Sequence, residues 1–113
     1  MKNNEQMPVA QAPLVGLATA EQIQYWKQQH AGGIYALETG GHIAYFKNPG
    51  RQEVNCALRK LDKDRVLDVY EELAAVTFLG GSEAVLRDDR KFLGICRELK
   101  AKLDGARVRL VNL

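Results

Sequence analysis

Two cysteines, two histidines and three prolines are all that occur in the 113 residues. With so few cysteines the chain is not a disulfide-built scaffold. Proline and glycine show no repeating pattern, so it is not collagen-like. Long apolar runs are missing, and nothing approaches the ~18 consecutive apolar residues of a membrane span. Neither sign of charge dominates. Sixteen Lys and Arg face fourteen Asp and Glu, a net +2, too small a surplus to mark a nucleic-acid or membrane surface. What remains is ordinary. Hydrophobic residues make up 46% and charged residues 27%, the balance of a soluble globular chain rather than a disordered one. The length suits one domain with a core of its own.

Targeting signals are also scarce. Lys2 is followed by Asn3, Asn4, Glu5 and Gln6, and Pro8, Gln11 and Pro13 interrupt the apolar residues that come next. A signal peptide needs an unbroken apolar stretch, so the expected location is cytoplasmic, with no membrane partner. Cys56 and Cys96 stand forty residues apart, each within an apolar helical pattern, and are expected to be buried thiols. Neither belongs to a C-x-x-C pair. Only His30 and His42 could join them, so neither a metal site nor a cofactor is expected.

Periodicity predicts an α+β domain over residues 19–113, preceded by a flexible arm, residues 1–18, rich in Pro, Ala, Gln and Asn. Leu14, Val15 and Leu17 in that arm are apolar and could order on a partner. Thr19 followed by Gln22 has the capping-box spacing for a first helix, which carries Ile23, Trp26 and His30. Gly32-Gly33 stops it. Ile34–Leu37 and Ile43–Phe46 form a hairpin about Thr39-Gly40-Gly41-His42, and Pro49 ends the second strand. Val54, Ala57, Leu58 and Leu61 then make one apolar helical stripe. Asp62 or Asp64 is placed to cap the next helix, whose stripe is Val66, Val69, Tyr70, Leu73 and Val76 or Thr77. That helix ends at Phe78-Leu79-Gly80-Gly81. A last helix starts at Asp88 or Asp89 and carries Phe92, Ile95, Cys96, Leu99 and Leu103 until Gly105. Arg107–Val111 alternates polar and apolar residues and is a candidate short strand.

Catalytic patterns fail in turn. The elbow G-x-S-x-G is absent, since Gly80-Gly81-Ser82 lacks its second glycine and no histidine lies nearby in sequence. Neither phosphate-loop pattern occurs. Asp62, Asp64 and Asp68 do not continue into a calcium loop, because Leu67 and Leu73 occupy its glycine and glutamate positions. The cations of the last helix, among them Arg90, Lys91, Arg97 and Lys100, alternate with acids, as on a solvated face. No catalytic residue is assigned, and interaction remains. Trp26, Phe78 and Leu79 are large apolar residues near element ends and are the candidate partner contacts.

Three motifs in order resemble the small tail-assembly chaperones of phages and prophages, over roughly Glu21 to Gly105. The first is Tyr25-Trp26-Lys27 followed by Gly33-Ile34-Tyr35 and a hairpin. The second is Tyr45-Phe46 leading into Lys47-Asn48-Pro49-Gly50-Arg51. The third is Phe78-Leu79-Gly80-Gly81-Ser82-Glu83 ahead of Asp88-Asp89 and a final helix. The resemblance implies a non-enzymatic protein that coats a long helical tape-measure protein by reversible apolar contacts, helped by self-association. The alternative is a small nucleic-acid-associated regulator, using the hairpin aromatics Tyr35, Tyr45 and Phe46 to stack bases together with the basic last helix. A toxin- or antitoxin-like adaptor is a third reading.

Overall fold

The computed structural model describes residues 13–61, 65–105 and 108–113. It is an α+β fold built on a three-stranded antiparallel sheet. In chain order the elements are α1 (Ala20–Gln29), β1 (Ile34–Thr39), β2 (His42–Lys47), α2 (Arg51–Leu58), α3 (Val66–Thr77), β3 (Phe78–Gly81), α4 (Ala84–Arg87) and α5 (Asp89–Asp104). The sheet runs β1-β2-β3, with β2 in the centre.

Local chemistry explains most boundaries. Thr19 Oγ1 accepts from the Gln22 N–H and Gln22 returns the bond to the Thr19 N–H, so the capping box starts α1. Gly40 and Gly41 both have positive φ, +56° and +80°, as a two-residue type I′ hairpin turn requires. Asp88 caps α5 by accepting from the Lys91 N–H at 3.1 Å, which holds its carboxyl below the usual range. At the other end, Gly105 has φ +75°. Asn48 joins three elements: its N–H and side-chain amide donate to the Gly33 and Gly32 carbonyls, and its Oδ1 accepts from Lys102 at 2.8 Å. A second basic side chain there would face Lys102 instead of binding it.

The alternation of β2 divides the core. Ala44 and Phe46 are fully buried against Val69, Leu73, Val85, Ile95 and Leu99 of the helical layer. Tyr35 and Leu37 of β1, opposite Phe46 and Ala44, pack on the same side. Ile43 and Tyr45 point to the other face and are also buried. Trp26 of α1 lies over Tyr45 on that second face, while the segment before α1 runs along the edge of β2 just past β3, where Val15 bridges His42 in parallel. Val15 N–H donates to the Gly41 carbonyl, the Ile43 N–H donates to the Val15 carbonyl, and the Ala18 N–H reaches Tyr45 Oη. Of the arm, then, residues 1–12 lie outside the described residues, while residues 13–18 are laid against the sheet.

Several expectations need adjustment. The strand completing the sheet is Phe78–Gly81, where a helix end was expected. Val108–Leu113 carries no helix or strand, and residue 107 lies outside the described residues. The predicted caps Asp62 and Asp64 also lie outside them. The α2 stripe is narrower than its spacing suggests. Ala57 is buried, but Leu58, the last residue of α2, and Leu61 beyond it stay 44% and 50% exposed. In α3, Val69, Leu73, Ala74 and Thr77 are buried, whereas Val66 at its first turn is exposed. The α5 stripe follows its pattern, with Phe92, Ile95 and Leu99 buried.

Candidate partner-binding site

Trp26 is the main anchor of α1. No residue of α1 is fully buried, yet the Trp26 ring tilts over Tyr45 with centroids 5.3 Å apart. It also lies close enough to β3 that a Cβ at Gly80 would sit 2.9 Å from it. A glycine at 80 is therefore the seat of the indole. Beside it, Tyr25 of α1 and Leu17 just before it remain 58% and 59% exposed.

Phe78 and Leu79 belong to β3, an edge strand. Phe78 is opposite Phe46 and meets it edge-on at 5.9 Å, so it packs against the main core. Gly80 is opposite Tyr45. The register slips by one residue between them, a β-bulge that leaves Leu79 unpaired and half-buried. Such bulges re-aim a side chain at a sheet edge. The structure thus gathers Trp26, Leu79 and Phe78 around β3, with Trp26 and Phe78 on opposite faces of it and Phe78 committed to the fold.

A contact that spacing could not reveal lies at the other end of β3. His42 Nδ1 and Ser82 Oγ are 2.7 Å apart, with the donor set by the imidazole tautomer. His42, expected in a turn, is the first residue of β2. The two are forty positions apart and meet only because β3 pairs with β2. A serine nucleophile needs its histidine oriented by a third group. Among the described residues no carboxylate is hydrogen-bonded to the His42 ring. Ser82 is buried, its N–H donates to the Ile43 carbonyl, and its carbonyl accepts from Val85. The pair ties the entry to α4 onto the central strand.

Two other groups have shifted acidity. Burial pushes the Tyr35 phenol up to about 12, moderated by the nearby Thr77 hydroxyl. Thr77 donates to the Leu73 carbonyl at 2.7 Å, and Tyr35 Oη is left buried with no hydrogen-bond partner among the described residues. A buried, unmatched hydroxyl costs about 1–3 kcal/mol. Tyr35→Phe should therefore hold or raise stability by about 1 kcal/mol in urea unfolding at neutral pH. The raised pKa makes the wild type lose stability as pH climbs from 10 towards about 12, because the unfolded phenol ionises first. That share of the decline should vanish in Tyr35→Phe. A mutant clearly less stable than wild type at neutral pH would show that the hydroxyl is bonded. Cys56 and Cys96 are both free and half-buried, less enclosed than expected. Burial, with Glu71 nearby, raises the Cys96 thiol, which disfavours a reactive thiolate.

Among the described residues no three metal-ligating side chains gather, and no helix is long and apolar enough to cross a membrane. Comparison with protein-family models, curated proteins and solved structures finds no match to this chain.

Proposed function

We propose that this is a protein-binding, non-enzymatic chain of the phage or prophage tail-assembly-chaperone type, whose client is a helical tape-measure protein. The observation that carries the reading is the region around α1 and β3. There a lightly anchored helix exposes Tyr25, a bulged edge strand carries Leu79 outside the main core, and Trp26 bridges the two. A client helix laid along this region would bury Tyr25 and Leu79 against its apolar face, as an amphipathic helix docks on a protein surface. Partial burial suits reversible binding, since the surface is solvated when the client leaves. The motif order from Tyr25-Trp26 to Phe78-Leu79-Gly80-Gly81 supplies the family resemblance.

Placement also decides which variant tests it. Phe78 supports Phe46, so a charge there would disturb the core. Leu79→Asp is the cleaner change. Co-expression with a tape-measure protein and affinity capture should recover the client with wild type. Recovery should fall at least about tenfold with Leu79→Asp, the loss expected of one buried leucine contact, while the far-UV circular dichroism is unchanged. Undiminished capture by a folded Leu79→Asp would overturn the site. Capture of nucleic acid instead of protein, weakening steeply with salt, would favour the regulator reading.

A further inference from the structure

The two edges of the sheet are unlike. β3 has four residues, ends in two glycines and carries a bulge. Those are recognised ways of blunting an edge. β1 has six residues in unbroken register with β2 from Ile34↔Lys47 to Thr39↔His42. It contains no proline, lysine or bulge, and among the described residues its outer side is unpaired. Its faces are distinct. Tyr35 and Leu37 lie on the helix-covered side, and Ala36 and Glu38 lie on the exposed side.

A complementary segment is present in the same chain. Val108 and Leu110 are 91% and 81% exposed, and Val111 and Leu113 are exposed too. As a strand, Val108–Leu113 would place Val108, Leu110 and Asn112 on one face and Arg109, Val111 and Leu113 on the other. Arg109 is its only charged residue, as Glu38 is the only one in β1. We infer that Val108–Leu113 of one copy adds as a fourth strand to the β1 edge of a second copy. Val108 and Leu110 then extend the helix-covered face beside Leu37 and Thr39. Arg109 falls on the exposed face beside Glu38, as an opposite-charge cross-strand pair. Among the described residues the segment pairs with no strand of its own chain, and its charge complements Glu38, so a second copy is the occupant. Because donor and acceptor are different surfaces, the contact is head-to-tail and propagates unless it closes into a ring.

This inference does not depend on the client reading, and its assay contains no client. The full chain is examined by size exclusion with light scattering over a range of concentrations. Wild type should grow beyond a monomer as concentration rises. Glu38→Arg and Arg109→Glu should each weaken association about tenfold, by exchanging an attractive cross-strand pair for a repulsive one. Mixing the two variants should restore a complex, because the reversed edge of one then meets the reversed strand of the other. Leu110→Asp should remain monomeric with native circular dichroism. A wild type that is monomeric throughout overturns the inference, including the case where amide exchange shows the segment paired within its own chain. Association unaffected by either charge change overturns it as well.

Discussion

Gly81→Ala should be among the most damaging single-methyl changes in this protein. Gly81 has φ +105°, and a Cβ there would lie 2.7 Å from the Ile43 carbonyl oxygen and 2.9 Å from the Ala44 Cα. Both obstacles are backbone of the central strand, so no rotamer change relieves them. The same Ile43 carbonyl accepts the Ser82 N–H at 2.9 Å. Gly16, with φ +93°, presses against this junction from the other side, its own Cβ position 2.3 Å from the Ser82 nitrogen. Three backbone segments converge on one carbonyl, and two glycines make room for them. Positive-φ strain and overpacking each cost about 1–3 kcal/mol, so a total of about 3–5 kcal/mol is expected. Urea unfolding should show the midpoint falling by at least about 1 M. Gly41→Ala is the control. It also has positive φ but open space around it, and should lose only about 1 kcal/mol. Equal losses at 41 and 81 would mean that the close approach contributes nothing.

Phe46→Ala should cost about as much for a different reason. Phe46 is fully buried, stacked on Tyr35 at 5.5 Å and met edge-on by Phe78 at 5.9 Å. Truncation removes the apolar contact area and both ring pairs, and leaves a cavity beneath the helices. The expected loss is about 3–5 kcal/mol, a large share of the ~5–15 kcal/mol available to a single domain. Leu93→Ala, at a side chain 56% exposed on α5, should change stability by less than about 0.5 kcal/mol. A thermal melt of the two variants beside wild type separates them directly. A Phe46→Ala loss no larger than that of Leu93→Ala would contradict the core described above.

The elements legible in the sequence are those whose signal is local. Thr19 and Gln22 bond to each other three residues apart, Gly40-Gly41 makes its own turn, and Phe92, Ile95 and Leu99 share a face because helical geometry puts them there. β3 escaped because Phe78-Leu79-Gly80-Gly81 is too short and too glycine-rich to alternate. It is a strand only because β2 waits to pair with it. Leu58 and Leu61 show the converse, since a periodic stripe does not state where the helix stops. At the candidate site, Trp26, Phe78 and Leu79 were legible as large apolar residues at element ends. Their grouping around one edge strand was not, because it depends on the bulge at Leu79 and on the absence of a side chain at Gly80. The His42–Ser82 bond was invisible for the same reason: pairing, and not spacing, brings the two together.

The seat of Trp26 has a spectroscopic consequence. It is the only tryptophan in the chain, and its indole rests on Gly80 and Tyr45 at the boundary between α1 and the sheet. Intrinsic emission therefore reports the docking of α1, while far-UV circular dichroism is weighted towards α3 and α5. If the two signals change together on heating, α1 and the core melt as one cooperative unit. If the emission shifts to longer wavelength first, α1 lifts away in a sub-global opening and uncovers the aromatic face of β2 while the rest of the fold stands.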